Sequence, residues 1–286
     1  MGEIYNMKKD RSYLILIFTC IIGFTLFMYP IIANYKNSKY GLHIIDDYST
    51  SVKNYSEEEA QKIKNEVVEY NQELLKRVYQ FSLSDELKTK YNSLLDIDGN
   101  GNMGYLEIDA IKVKLPIYHT VKDDVLDKSV GHMEWSSLPV GGESTHAVFS
   151  AHNGLIGPRL FTDLYKLKIG DKFVIHVLDE RLVYEIDQIK TIEPNDTNDL
   201  KIIDGEDFVT LMTCTPYGIN THRLLVRGHR IIDNKEFSSF ASNGIIINKY
   251  IEAGLLSIVP LCLFMLTLII INKKKVKKKN RIYSSN

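Results

Sequence analysis

Two long apolar runs decide what this chain can fold into. Ser12–Tyr35 holds no charged residue over 24 positions, which is enough to cross a bilayer as a helix. Lys8, Lys9 and Arg11 precede it, so the N-terminus is expected in the cytoplasm. The run exceeds the apolar core of a signal peptide and no A-x-A-like site follows, which predicts a retained anchor rather than a cleaved leader. Ala253–Ile271 is a second uncharged run, 19 residues long with Pro260 inside it. Lys273, Lys274, Lys275, Lys277, Lys278, Lys279 and Arg281 follow at once. Such a basic flank stops transfer and stays inside, against anionic lipid. Two spans with both ends inside leave the middle of the chain outside the membrane.

That middle is long enough for one good core, in a chain of 286 residues with 44% hydrophobic and 25% charged. The whole chain is near neutral, with 35 basic and 36 acidic residues. Without the tail and the first eleven residues, 25 basic residues face 34 acidic ones, a charge of about −9. This argues against nucleic acid as a partner and mildly favours a basic substrate segment. The tail's basic run is explained by the membrane.

The expected order is a cytoplasmic N-terminus at 1–11, a span at 12–35 and a helical extension at 40–95. A β-rich domain at 96–235 follows, then a span at 253–271 and a basic cytoplasmic tail at 272–286. In the extension, Ser56 and Glu59 have the spacing of a capping box. Ile63, Val67, Tyr70, Leu74 and Val78 then recur at helical spacing. A shorter helix is expected from Ser84 to Leu95.

Asp96-Ile97-Asp98-Gly99-Asn100-Gly101, with Glu107, matches the calcium-loop pattern D-x-D-x-N-G-x5-E. Asp96, Asp98, Asn100 and Glu107 are therefore a weak candidate set of calcium ligands. An EF-hand needs a helix on each side, however, and Tyr105–Asp109 alternates like a strand toward Pro116. The competing reading is a plain turn.

From Met103 onward, short runs rich in β-branched and aromatic residues alternate with turn signals. The expected strands are Met103–Asp109, Lys112–Tyr118, Thr145–Ala151, Lys172–Val177, Arg181–Thr191, Phe208–Thr213 and Arg223–Ile231. Regular short strands point to a closed barrel or sandwich. Arg159–Leu164 is expected to open a helical turn.

Of three cysteines, Cys20 and Cys262 lie in the apolar runs and Cys214 alone lies outside them. It therefore has no intrachain disulfide partner in the outer domain, and an unpaired thiol there needs a reason. Most free cysteines are small buried hydrophobes. Cys214, however, ends an apolar run and is followed by Arg223, Arg227 and Arg230 on the next one. The thiolate is the reactive form, and cationic neighbours favour it. A catalytic thiol also wants an imidazole. Of eight histidines, His152 closes the strand Thr145–Ala151, and His222 is the rival nearest Cys214 in sequence.

Thr210-Leu211-Met212-Thr213-Cys214 resembles the TLxTC signature of sortases, the cysteine transpeptidases of Gram-positive cell surfaces. Thr215-Pro216-Tyr217 and Asn220-Thr221-His222-Arg223-Leu224-Leu225-Val226-Arg227-Gly228 resemble the class C, pilin-polymerising version. The resemblance covers about Leu94–Asp233 and implies a mainly β fold: a closed barrel of about eight strands with short helices. It implies Cys214 as nucleophile, His152 as acid and base, and Arg223 as the oxyanion and substrate-orienting group. Thr213, Thr215 and Tyr217 are expected to line the substrate groove. The implied substrates are LPxTG-type surface or pilin proteins, cleaved between Thr and Gly. The acceptor is an amine, either a pilin lysine or the cell-wall precursor, and no cofactor is implied.

The chain departs from the class C pattern in two places. The usual Thr-Gly-His-Arg-Gly reads Ser150-Ala151-His152-Asn153-Gly154 here. The resemblance also implies that the extension at 40–95 serves as a lid over the site, yet the Asp-Pro-aromatic motif of the class C lid is absent, since no proline occurs between Pro30 and Pro116. Wall anchoring, a cysteine protease, and a non-enzymatic membrane-tethered calcium or adhesion module are the alternatives. An inert, buried Cys214 would favour the last.

Overall fold

The structure is a computed structural model that describes residues 2–77, 80–154 and 159–232. The expected second span at 253–271 and the basic tail at 272–286 lie outside the described residues, as do Val78 and Cys262. Ile32–Phe240 forms one compact unit.

The first helix, α1, runs over Gly2–Lys53 with Pro30 inside it. Among the described residues it is the one helix long and apolar enough to cross a membrane. Phe18, Ile21, Leu26 and Phe27 are exposed on it. Toward its C-terminal end, Tyr48 is buried. Its hydroxyl donates to the Met103 carbonyl at 3.1 Å and accepts from the Leu178 N–H at 2.9 Å. These bonds seat this end of the helix on β-strand residue Met103 and on the turn at Leu178.

The second helix, α2 (Glu57–Leu75), starts at the capping box expected at Ser56 and Glu59. The Ser56 N–H donates to Glu59 Oε2 at 2.8 Å, and the Glu59 N–H returns the bond to the Ser56 hydroxyl at 3.2 Å. Val67, Tyr70 and Leu74 form the buried stripe. A third helix, α3 (Asp85–Ser93), is capped by Ser84 and buries Tyr91. These side chains enter the same core cluster as Leu106, Phe149, Phe161 and Phe173 of the barrel region. The extension is therefore part of the domain's core. Asn71 fastens it polarly: its amide accepts from the Leu138 N–H at 2.8 Å and donates to the Leu138 carbonyl at 3.0 Å.

Eight strands close into a barrel: β1 (Asn102–Ile108), β2 (Val113–His119), β3 (Val130–His132), β4 (Thr145–Ser150), β5 (Lys172–Val177), β6 (Glu180–Ile192), β7 (Asp207–Thr215) and β8 (His222–Ile231). The order around the barrel is β1-β2-β3-β4-β7-β8-β6-β5. Pairs β2–β3 and β4–β7 are parallel and the rest antiparallel. Seven of these strands lie where the sequence pattern puts them. The eighth, β3, spans only Val130–His132, too few residues for a period-two pattern to register. Between β2 and β3 lies a single helical turn, α4 (Asp123–Leu126). A 3₁₀ turn at Leu164–Lys166 follows the Arg159–Leu164 stretch.

Alternation along β7 and β8 sorts two faces. Val209, Leu211, Leu224 and Val226 face the barrel core. Met212 and Leu225 face outward into a second cluster with Val148, Ile192 and Leu200, covered by Phe81, Met133 and Trp135. Phe81 meets Trp135 edge to face at 4.9 Å.

Candidate active site

Cys214 stands at the outer end of β7, directly opposite Arg223 of β8 in the antiparallel register. Opposed residues put their side chains on one face, with Cβ atoms about 4.5–5.5 Å apart. Cys214 is half-buried and free. Arg223 holds the carbonyls of Asn220 and His222 with one Nη1, at 3.3 and 3.1 Å. Among the described residues no carboxylate pairs with it, so most of its fork of donors carries no bond. Arg227, two strand repeats further in on the same face, is committed differently. It grips Asp187 with Nε at 3.1 Å and Nη2 at 2.8 Å, and lies over the Phe208 ring at 4.2 Å.

His152 follows β4, the parallel neighbour of β7. The β4–β7 ladder ends at Ser150↔Met212, two residues short of both His152 and Cys214. The two strand ends remain tied beyond it. The Ala151 N–H donates to the Met212 carbonyl at 3.3 Å, and the Thr213 hydroxyl donates to the Ala151 carbonyl at 2.8 Å. Asn153 Nδ2 donates to the Cys214 carbonyl at 3.0 Å. The His152 carbonyl itself accepts from the Phe161 N–H at 3.2 Å. The His152 ring is 32% exposed, with Nε2 3.9 Å from the carboxylate of Asp127, which caps α4.

The rival His222 is occupied elsewhere. Its Nε2 lies 3.2 Å from Glu193, and its Nδ1 bonds the Thr221 hydroxyl at 2.9 Å. His132 and His146 are buried inside the fold. His132 donates from Nε2 to the Ser137 carbonyl at 2.8 Å and accepts at Nδ1 from the Tyr91 hydroxyl at 3.0 Å. His146 donates from Nδ1 to the Lys201 carbonyl at 2.8 Å and accepts at Nε2 from Thr210 at 2.7 Å. Both are therefore neutral imidazoles. Burial lowers their pKa values, to about 3 for His132 and about 4 for His146.

The expected groove residues separate. Thr213 is 2% exposed and its hydroxyl is engaged inside the fold, so its side chain lines no open groove. Thr215 is half-buried at the end of β7. Tyr217 is 65% exposed, and its ring lies where a Cβ on Gly154 would be, 2.6 Å away. The turn after Cys214 thus packs on the turn after His152. Asp127 and Asn153 carried no signal in the sequence: their contacts join segments far apart in the chain, and neither sits in a periodic pattern.

The calcium candidate does not assemble. Asp96 accepts the Gly101 N–H at 2.6 Å and Asp98 accepts the Asn100 N–H at 3.0 Å, forming a self-contained turn. His119 bonds the Gly101 and Leu94 carbonyls at 2.9 and 2.8 Å. Glu107 lies within β1, buried, 3.3 Å from His176 and 3.9 Å from Lys114. Among the described residues no group of three or more His, Cys, Asp or Glu side chains is placed to hold a metal ion.

A sequence profile of the Sortase domain family matches residues 106–231. The crystal structure of sortase C1 from Streptococcus agalactiae is 47% identical, with a TM-score of 0.66, covering 67% of this chain and all of that one. The chain belongs to the sortase family. The sortase C of Clostridium perfringens, solved with the C-terminal cell wall sorting motif, is 43% identical to this sortase, with a TM-score of 0.58. That match covers 67% of this chain and 100% of that one. Sortase D of Bacillus subtilis (strain 168) is 29% identical over 131 residues, spanning 45% of this chain and 63% of the relative. Sortases are cysteine transpeptidases that need no cofactor, and the barrel seen here is their fold.

Proposed function

We propose that this sortase is a membrane-anchored transpeptidase acting outside the cell on LPxTG-type sorting signals, with Cys214, His152 and Arg223 as its catalytic residues. The observation that carries the reading is the register that sets Cys214 opposite Arg223, with His152 at the adjoining strand end. In this scheme the Cys214 thiolate adds to the Thr–Gly carbonyl of the signal. The oxyanion that forms is met by the uncommitted guanidinium N–H groups of Arg223. The C–N bond breaks as protonated His152 gives its proton to the leaving glycine amine. A thioester remains on Cys214. An incoming amine, losing its proton to His152, attacks the thioester, and an amide forms as the thiolate leaves.

The likeness to class C structures favours a pilin lysine as that amine, giving isopeptide-linked pilin. Transfer to the cell-wall precursor is the alternative acceptor. Anchoring by α1, with the barrel outside, fits the basic residues before the span and the acidic balance of the outer domain.

The test is intact-mass analysis of the full chain in detergent, incubated with an LPxTG-type peptide. The adduct expected is the peptide's N-terminal acyl fragment, absent in Cys214→Ala and discharged by an added amine. Turnover by Cys214→Ala would sink the scheme. Discharge by a lysine-bearing pilin fragment but not by a wall-precursor mimic would fix the acceptor.

A further inference from the structure

Asn153 has no part in the scheme above, yet it is bonded to the nucleophile's own residue. Its side-chain orientation is settled by chemistry. The Cys214 carbonyl only accepts, so the amide group facing it at 3.0 Å must be Nδ2, and a flipped amide would set oxygen against oxygen. That leaves Oδ1, which is buried and has no hydrogen-bond partner among the described residues. A buried polar atom without a partner is uncommon and calls for a reason. Packing alone does not supply one, since an apolar side chain would fill the space without the unpaired oxygen.

The reason lies in what the other end of the amide does. The backbone ladder between β4 and β7 stops at Ser150↔Met212. Past that point Thr213 reaches across to Ala151 and Asn153 reaches back to Cys214. These two bonds bracket His152 on one strand end, between residues 151 and 153. On the other strand end they hold residues 213 and 214. Gly154 continues the tether, its N–H donating to the Thr162 hydroxyl at 3.1 Å. We infer that Asn153 is a positioning residue. Its Nδ2 extends the parallel pairing by side chain where the backbone can no longer do so, fixing the Cys214 backbone against the turn that carries His152. The inference rests on Cys214 as nucleophile and His152 as its acid–base partner. It names the residue that sets their mutual alignment.

The predicted signature is kinetic. Losing the clamp should leave the thiol present and accessible but poorly aligned, and a misplacement of about 1 Å can cost about a hundredfold. The full chain in detergent is compared with Asn153→Asp, Asn153→Ala and Asn153→Gln. Asp keeps the shape without the donor, and Gln keeps the donor on a longer arm. Acyl-enzyme formation at saturating peptide should fall on the order of tenfold to a hundredfold in Asp and Ala, with recovery in Gln. KM, melting temperature and the rate of Cys214 alkylation by iodoacetamide should stay close to wild type. Wild-type acylation rates in both Asp and Ala would overturn the inference. So would a parallel fall in melting temperature, alkylation and acylation, which would mark Asn153 as merely structural. If wild type itself forms no adduct, the transpeptidase reading fails on its own. The clamp is then decided by NMR: slow exchange of the Asn153 side-chain amide protons supports it, and exchange at the rate of a free amide overturns it.

Discussion

Gly154 shows how closely the turns after His152 and Cys214 are fitted at the scale of single residues. Its φ is +84°, and a Cβ there would sit 2.6 Å from the Tyr217 ring. Left-handed backbone costs an L-residue roughly 1–2 kcal/mol, and the ring must also move. Gly154→Ala should therefore slow acylation. Adding Tyr217→Ala should restore only the steric share, which a double-mutant cycle on the acylation rate measures. Arg223→Lys is expected to lose about 10²–10³ in acylation rate, as does removal of an oxyanion donor elsewhere. The lysine keeps a charge but not the planar fork. The placing of Cys214 near Arg223 on neighbouring strands was legible in the sequence because a strand, a short loop and a strand fix their register within a dozen residues. The place of His152 beside that pair was legible only in part, since the sequence puts it at the end of a strand but does not say which strand lies next to it. Asn153 left no trace, because a side-chain-to-carbonyl bond spanning 61 positions imposes no local pattern.

At the scale of elements, the extension is held by specific contacts as well as by oily ones. Asn71→Leu keeps the volume but orphans both the N–H and the carbonyl of Leu138. Each orphaned buried group costs about 1–3 kcal/mol, and in a domain of this size each kcal/mol lowers the melting temperature by roughly 2–4 °C. The segment between α2 and α3 puts Phe81 on the cluster containing Met212 and Leu225. Met212 and Leu225 oppose each other two residues from the Cys214–Arg223 pair, on the same face. An extended substrate running along that face would meet Phe81, so Phe81→Ala should raise the acylation rate severalfold. An unchanged rate would show that the segment covers packing surface only. The helices were legible from caps and periodicity, and the strands from alternation. The three-residue β3 was not, because its place is set by pairing with β2 and β4 rather than by its own composition.

The whole molecule carries a pH dependence that its interior dictates. His132 and His146 hold pKa values near 3 and 4 in the fold, against 6.5 in an unfolded chain. Above pH 6.5 both states are neutral at these sites and folding takes up no protons. Between pH 6.5 and about 4 the unfolded chain binds protons the folded one refuses, so stability falls as pH falls. Each histidine contributes up to about 1.4 kcal/mol per pH unit. Melting temperatures of wild type and His146→Asn across that window should diverge, with the variant's slope shallower. The extension's burial in the main core predicts that deleting residues 40–95 yields aggregated protein rather than a working barrel, which size-exclusion chromatography would show. The barrel order has a further consequence. The last strand among the described residues, β8, sits between β7 and β6, so it is the closing stave. Until it inserts, two long strands stand as open edges, and the thiol on β7 has no guanidinium opposite it. The β6–β8 pairing joins segments far apart in the chain, and pairings of high sequence separation form slowly. One strand thus does two jobs at once: seating β8 seals both open edges of the barrel and brings Arg223 opposite Cys214 in the same step.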